Sequence, residues 1–299
     1  HTRKKNNPMT RNIGILFVFM FAVIAFVLGI AAPSALAHDR YHRHHKDEIS
    51  FDEAELFFEL NNTDGDLGIH ALIDGEAWQR LMIEDPKERR MLDVKVKGRL
   101  RRQGLTEFFF ESAEPTFDEL SPEDFFRRFP AGTYKIEGIT LEGDELEGEV
   151  QLTHTMPAPP APTVNGEPMA LQCDEEEDGY DATEVSAPVT IAWPAVTLSH
   201  PDPEGGGAGV QPPIPVTIVN YEVVLEVEVE TDDGEEFTSV FSIVLPPGQM
   251  SITVPEEFLA LGDTFKYEVL AREESYNQTA VESCFIVLEG ENGADDDEE

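Results

Sequence analysis

Four histidines near the start of the chain are the residues best suited to hold a transition metal. They are His38, His42, His44 and His45. His-rich tracts of this kind bind zinc, copper or nickel, but this one has neither a nearby cysteine nor the spacing of a closed zinc site. We therefore predict a disordered, His-rich leader over residues 38–50, with a metal-binding tract as the alternative.

A calcium site is the second candidate, because Asn62, Asp64 and Asp66 alternate as the ligands of an EF-type loop do. The pattern fails at two constrained positions, where Leu67 replaces glycine and Ile73 replaces the closing glutamate. We predict a simple turn between two strands, with calcium at Asp64 and Asp66 as the alternative. No other cofactor is predicted.

A basic stripe interrupts a strongly acidic chain, which has 60 Asp and Glu residues, 21 Lys and Arg residues and a net charge of −39. The stripe consists of Lys95, Lys97, Arg99 and Arg101. These residues alternate with others and predict a strand with one cationic face. Such a face suits an anionic polysaccharide or lipopolysaccharide, or the chain's own acidic strand at residues 222–230. The alternative is a solvated face that balances neighbouring acids.

Motifs of the common enzyme classes are absent from the sequence. It contains no G-x-S-x-G, H-E-x-x-H, phosphate-binding Gly-Lys loop, paired C-x-x-C or dinucleotide fingerprint. Acidic residues are too abundant for any two of them to stand out as a catalytic pair. We therefore predict a protein that is not an enzyme.

The start of the chain has the pattern of a signal peptide. Arg11 precedes an apolar run over residues 13–32, and the small-x-small triplet Ala-Leu-Ala follows at residues 35–37. We predict a signal peptide over residues 1–37, with residues 1–8 interpreted as an upstream artefact, and a secreted or periplasmic protein. The alternative is an uncleaved membrane anchor, since about 20 apolar residues span a bilayer.

Two cysteines occur, Cys173 and Cys284. In the oxidising compartment that a signal peptide implies, two cysteines usually pair. We predict a disulfide between them, with two free thiols as the alternative. The bond would close a loop of about 110 residues and stabilise the folded chain by up to ~4 to 5 kcal/mol.

Short alternating strands predict an all-β fold of two tandem antiparallel β-sandwiches. The first, immunoglobulin-like or jelly-roll-like, covers residues 51–155 and includes one short helix that begins at Ser121-Pro122. A stiff Pro-rich linker over residues 156–162 is expected to hold it apart from a second domain at residues 163–289. Residues 290–299 form an acidic disordered tail.

The clearest strand pattern lies over residues 217–231, where apolar residues alternate with glutamates and predict one buried and one solvated face. An Asp-Gly turn ending at Gly234 then connects it to a strand over residues 237–245. Glycine tolerates the positive φ of a tight turn, so this segment is predicted to be a hairpin.

Three segments in this part of the chain resemble the fibronectin type III family. Residues 189–194, Val-Thr-Ile-Ala-Trp-Pro, are similar to its strand B, and residues 218–223, Ile-x-x-Tyr-x-Val, to its strand C. Residues 259–271 are similar to the corner between strands E and F. The family usually has a tyrosine there whose hydroxyl bonds to the backbone, whereas this chain has Phe265. The resemblance implies a fibronectin type III-like domain over about residues 160–289.

The resemblance also implies that loops at residues 200–215 and 272–279 lie at the same end of this domain. Long loops on a rigid sandwich often carry binding. The predicted contact surface consists of His200, Asp202, Tyr276 and Asn277. The alternative is a disordered excursion rich in Gly and Pro.

These observations together predict an exported, monomeric, non-enzymatic protein for binding, adhesion or spacing. Its expected partner is a surface protein or a polysaccharide. Nucleic acid is disfavoured because phosphate would be repelled by the acidic chain. The alternatives are a calcium- or transition-metal-binding protein and a carbohydrate-binding accessory module of a hydrolase.

Overall fold

The computed structural model describes residues 48–170, 172–173, 181–201, 212–231 and 234–288. In these ranges the chain is built mainly of β-strands, with three short helices, as the all-β prediction expected. The described residues all belong to one compact unit, residues 42–299. The predicted signal peptide, the four histidines of the leader and the acidic tail lie outside the described residues. No helix in the described ranges is long and apolar enough to cross a bilayer.

The strands fall into a twelve-stranded and a four-stranded sheet within the described residues. In chain order the elements are β1 (Glu48–Ser50), β2 (Glu53–Asn61), β3 (Asp66–Glu84), β4 (Arg90–Lys95), α1 (Leu100–Gln103), β5 (Leu105–Glu111), α2 (Pro122–Arg128), β6 (Gly132–Thr140), β7 (Glu145–Leu152), β8 (Thr163–Val164), β9 (Glu167–Pro168), β10 (Thr183–Val185), β11 (Thr190–Ala192), β12 (Ile218–Glu230), β13 (Glu236–Leu245), β14 (Ser251–Thr253), α3 (Glu256–Leu259), β15 (Thr264–Glu273) and β16 (Gln278–Val287).

Strand β3 changes its partners at its middle. Residues 66–74 pair with β2 and, in part, with β5, whereas residues 78–84 pair with β4 and β6, and Trp78 also pairs with Leu105 of β5. The ladders are irregular at the change, where Gly75 lies so close to Phe51 that an added Cβ would be 3.2 Å from the ring. Asp74 and Gly75 therefore lie within one continuous strand, at the point where the register shifts.

The first core lies between the two sets of strands that β3 joins. It contains Phe58 from β2, Trp78 from β3 and Tyr134 from β6, all fully or almost fully buried. Helix α2 closes it, because Phe126 packs edge-on against Phe58 at 5.0 Å between ring centroids. The helix begins as predicted, with the Ser121 hydroxyl accepting a hydrogen bond from a backbone N–H of the first turn.

The second core lies between the four-stranded sheet, ordered β14-β11-β8-β9, and the strands β16-β15-β12-β13 of the large sheet. Trp193 meets Tyr221 edge-on, with 5.4 Å between ring centroids. The Tyr221 hydroxyl accepts a hydrogen bond from the Val196 backbone N–H at 2.8 Å. At the predicted corner, Phe265 stacks on Phe285 at 5.1 Å. Residues far apart in sequence thus form one packed interior.

The two halves of the chain are not held apart by the Pro-rich segment. Strand β2 of the first half pairs in parallel with β16 of the second, so one sheet runs through both. We call this contact between the two halves, centred on β2 and β16, the joint. Pro157 lies in it, and its carbonyl accepts a hydrogen bond from the Thr279 hydroxyl at 2.8 Å. A stiff, extended segment still offers backbone carbonyls for pairing, and here those carbonyls bind the second half.

The predicted disulfide between Cys173 and Cys284 is present. Cys284 is a buried residue of β16, and Cys173 lies 111 positions earlier in the chain, between β9 and β10. The bond ties strand β16 to the segment that follows the joint.

Candidate functional site

Part of the predicted basic stripe lines a groove on the first half of the chain. The groove has a volume of about 510 Å³. Its basic lining residues are Arg80, Lys95, Lys97 and Arg101. Four cationic side chains around one depression, in a chain of net charge −39, form a local positive site.

The groove is not built as the alternating pattern predicts. Strand β4 ends at Lys95, Gly98 turns the chain with a φ of +64°, and residues 100–103 form α1. Arg99 therefore precedes the helix and is not a lining residue. Arg101 returns to the groove, where its Nε donates to Gln79 Oε1 at 3.0 Å.

Arg80 is the basic lining residue of the groove that the sequence did not predict. It lies opposite Lys95 in the register of β3 and β4. No sequence signal points to it, because its place in the groove depends on strand pairing. Its guanidinium donates two hydrogen bonds to Asp93, at 3.0 and 2.9 Å.

Asp93 is the acidic partner of three cations at this groove. Arg80 is bidentate to it, Arg90 lies 3.2 Å away and Lys95 lies 3.7 Å away. The hydrogen bonds from Arg80 hold the pKa of Asp93 below its usual value. The negative charge of Glu137 also acts on Arg80 and helps to raise the pKa of its guanidinium. One carboxylate shared by three cations leaves the groove with excess positive charge, to which Lys97 and Arg101 contribute.

The predicted loop surface does not form as a surface. Asn277 is fully buried, and His200 is 4% exposed. A ring nitrogen of His200 lies 3.0 Å from Asn62 Oδ1, and its backbone N–H donates to Met156. Both residues therefore lie in the joint between the halves. Of the four predicted residues, Tyr276 is exposed and Asp202 lies outside the described residues.

The predicted calcium segment forms a turn between β2 and β3. The Asn61 side chain accepts hydrogen bonds from the backbone N–H groups of Thr63 and Asp64. Its amide donates to Glu282 Oε1 of β16 at 2.7 Å. The turn thereby brings the carboxylates of Asp64 and Asp66 close to the carboxylate of Glu282 in the second half.

Acidic side chains crowd the outer face of the joint. Burial, together with the charges of Glu114, Asp64, Glu282 and Glu59, raises the pKa of Asp66 to about 8. Burial and the charge of Asp64 raise the pKa of Glu282 to about 7. This face disfavours additional negative charge.

Glu222 and Glu226 of β12 belong to the same crowded face. Glu222 is buried, and so is Val224 next to it. The pKa of Glu268 on β15 is raised by burial and by the charges of its acidic neighbours. The prediction of a solvated face over residues 217–231 is therefore wrong at Glu222. Alternation shows which side chains share a face of the strand, but it does not show whether other residues cover that face.

A histidine and two glutamates form a compact polar cluster beside these acidic residues. His70 on β3 is 1% exposed, and Glu59 on β2 is 5% exposed. A ring nitrogen of His70, Nε2, lies 2.9 Å from Glu114 Oε1, and Nδ1 lies 3.9 Å from Glu59 Oε2. One ligand atom from each residue lies within 4.8 Å of the others. We call Glu59, His70 and Glu114 the buried triad.

Comparison with known proteins identifies no family. No family model matches the chain, and no curated protein matches it by sequence. Solved structures that match include a bacterial ice-binding adhesin, a BSP domain of a biofilm-associated protein and a tetra-tandem repeat from the extending region of a large adhesion protein.

The three matches are weak. Sequence identities are 11%, 10% and 11%, and TM-scores are 0.20, 0.22 and 0.16. They cover 81%, 81% and 78% of this chain. The chain in turn spans 65%, 30% and 49% of the matched chains, less than two thirds of their length. TM-scores this low say nothing about function.

Proposed function

We propose that this chain is an exported, non-enzymatic β-protein that binds an acidic polysaccharide at a cell surface through the groove formed by Arg80, Lys95, Lys97 and Arg101. The observation that carries the proposal is the groove's excess of positive charge around the single shared carboxylate of Asp93. The disulfide supports export, because such bonds persist in oxidising compartments.

A carboxylated or sulphated polymer suits this groove because of its charge pattern. Guanidinium groups bind carboxylate and sulphate oxygens in a fixed fork, and lysine adds a mobile point charge. The rest of the acidic chain repels a polyanion, so contact is confined to the groove. We expect the monomer to bind weakly and with strong salt dependence.

The proposed architecture is two β-sandwiches joined through one sheet, the second of them fibronectin type III-like. Strand β11 lies in the four-stranded sheet, whereas β12 and β15 lie in the large sheet. This separation matches that of strand B from strands C and F in two-sheet immunoglobulin-like folds. The packing of Trp193 on Tyr221 also supports it.

Retention of the full chain on alginate and heparin resins, with neutral dextran resin as a blank, tests the binding proposal. The Lys97→Glu/Arg101→Glu variant changes groove charges that do not contact Asp93. We expect it to lose retention, and the unchanged chain to elute at a salt concentration that screens surface charges.

Matched variants separate the groove from general charge. Lys135 and Arg128 are exposed basic residues of the first half outside the groove, so Lys135→Glu/Arg128→Glu makes the same charge change. We expect this control to keep most of its retention, and Arg99→Glu to lose less than either groove substitution alone. Equal losses in all variants, or no retention of the unchanged chain, would refute a groove-specific site.

A further inference from the structure

The imidazole of His70 is buried, and one of its ring nitrogens has no hydrogen-bond partner among the described residues. Nε2 lies 2.9 Å from Glu114 Oε1, whereas Nδ1 has no partner in the part of the chain that the structure describes, although the residue is 1% exposed. Glu59 Oε2 lies 3.9 Å from Nδ1. Leaving a buried polar atom without a hydrogen bond destabilises the folded state. A buried ring nitrogen in this position, 3.9 Å from a carboxylate oxygen, is available as a metal ligand.

Strands β2 and β3 carry two members of the buried triad, and β16 orients one of them. His70 lies opposite Phe57 in the ladder of β2 and β3, which places Glu59 two residues further along the same face. Gln278 on β16 lies opposite Glu59 and donates a hydrogen bond to its Oε2. Glu59 is thus oriented by a side chain from the other half, as outer-shell partners orient metal ligands.

Glu114 is held over the other side of His70 by the segment that follows β5. The Ser112 hydroxyl accepts a hydrogen bond from the Ile69 N–H at 3.0 Å, which ties this segment to β3. The Glu114 carboxylate occupies the space above Gly68, where an added Cβ would lie 2.2 Å from Oε1. Glycine at this position is what lets Glu114 approach His70.

We propose that Glu59, His70 and Glu114 bind a divalent transition-metal ion of the zinc class, with one ring nitrogen and two carboxylates as ligands. Metal–ligand distances for such donors are about 2.0–2.2 Å. The three donor atoms lie within 4.8 Å of one another, and the side chains must move closer together for all three to bind one ion. Glu59 is buried and Glu114 is partly exposed, and these two carboxylates supply the negative charge that holds the ion.

The donor set favours a transition ion over calcium. Calcium prefers six to eight oxygen ligands, whereas imidazole suits zinc, copper, iron and nickel. Nearby, Asp64, Asp66 and Glu282 offer only oxygen ligands, which suit calcium rather than a transition ion. An ion that binds at the triad therefore differs from one that binds at the turn by its dependence on His70.

Titration with Co²⁺, followed by displacement with Zn²⁺, tests the proposal. The full chain is used with His38, His42, His44 and His45 replaced by serine, after removal of metal with EDTA. We expect one Co²⁺ per chain, with visible absorption altered by nitrogen ligation, and displacement by Zn²⁺. Since loss of even an outer-shell partner weakens metal binding about 10- to 100-fold, His70→Gln is expected to weaken it by at least ~100-fold.

Three further variants keep the test independent of folding failure. Glu114→Gln alters the least buried ligand, and Gly68→Ala displaces its carboxylate; both are expected to weaken binding while circular dichroism stays unchanged. Glu149→Gln, an exposed site on β7, is the matched control and should bind as the parent does. Absence of Co²⁺ binding, or binding that survives His70→Gln and is lost in Glu282→Gln, would overturn the proposal.

Discussion

The side chain of Asn277 accepts a hydrogen bond from the backbone N–H of Phe58 at 2.8 Å, across 219 residues of sequence. The amide nitrogen of Asn277 donates to the carbonyls of Thr153 and Thr155, at 3.0 and 2.9 Å. One fully buried side chain thus satisfies backbone groups on two segments of the first half. The joint between the halves is therefore a specific, hydrogen-bonded structure.

Replacing Asn277 with alanine should destabilise the chain by about 2–4 kcal/mol. The substitution leaves the Phe58 N–H and the Thr153 and Thr155 carbonyls without this partner, and each unsatisfied buried group costs about 1–3 kcal/mol before relaxation. Urea unfolding of the variant and the parent measures the difference. Asn220→Ala, half-buried on β12 outside the joint, is the control. Equal stability of Asn277→Ala and the parent would contradict the role given to Asn277.

The ion pair between Arg272 and Glu55 should show strong coupling. Arg272 Nη2 lies 2.7 Å from Glu55 Oε2, their side chains are 16% and 11% exposed, and the guanidinium lies 4.5 Å from the Phe57 ring centroid. Removing one partner of a buried ion pair lowers the free energy of unfolding by about 3–5 kcal/mol, because the other charge is left buried without a partner. Arg272→Ala should therefore cost more than Arg272→Ala combined with Glu55→Gln.

A double-mutant cycle measured by urea unfolding checks this coupling. The exposed pair Arg127–Glu123, with side chains 66% and 74% exposed, is the control. It should couple by about 1 kcal/mol or less. Additive effects of Arg272→Ala and Glu55→Gln would show that the pair is not coupled.

Reduction of the Cys173–Cys284 disulfide should lower the melting temperature. The two residues are 111 positions apart, and opening a loop of that length costs up to ~4 to 5 kcal/mol through the entropy of the unfolded chain. Thermal melts with and without a phosphine reductant measure the shift. A Cys173→Ala/Cys284→Ala variant should not respond to the reductant. An unchanged melting temperature of the reduced parent would contradict the prediction.

Stability should fall as the pH rises from about 5 to about 8 in the presence of EDTA. The pKa values of Asp66 and Glu282 are raised to about 8 and about 7, so the folded chain keeps protons that the unfolded chain releases above about pH 4. His70 acts in the same direction: burial opposes its charged form, but Glu114 and Glu59 outweigh burial and raise its pKa.

Thermal melts across this pH range provide the measurement, and we expect a loss of several degrees. Asp85 and Asp93 have lowered pKa values and affect stability only at lower pH, near their unfolded values. The Asp66→Asn/Glu282→Gln variant should show a flatter profile. A melting temperature that rises between about pH 5 and about pH 8 would contradict the assignment.

Local patterns in the sequence predicted several elements well. Alternation located β12 and β13, the Ser121-Pro122 pair located α2, and two cysteines in a chain with a signal-like start predicted the disulfide. These predictions succeed because period-2 burial, helix capping and cysteine pairing depend on neighbouring residues or on composition.

Features that depend on strand register were not predictable in the same way. Arg80 joins the groove through its pairing with β4, and Asn277 enters the joint because β16 docks on β2. The buried triad combines residues 59, 70 and 114 from two strands and a loop. Their types gave no signal, since glutamate is abundant throughout the chain and His70 is isolated in sequence.

The sequence by itself determined the all-β class, the strongest strands, the helix start and the acidic character of this protein. Only the tertiary structure decided that the halves share one sheet, that Glu222 and Asn277 are buried, and that His70 lies between two carboxylates. The physical reason is that alternation fixes which side chains share a face. Which strand or segment then covers that face depends on pairing between residues more than 200 positions apart.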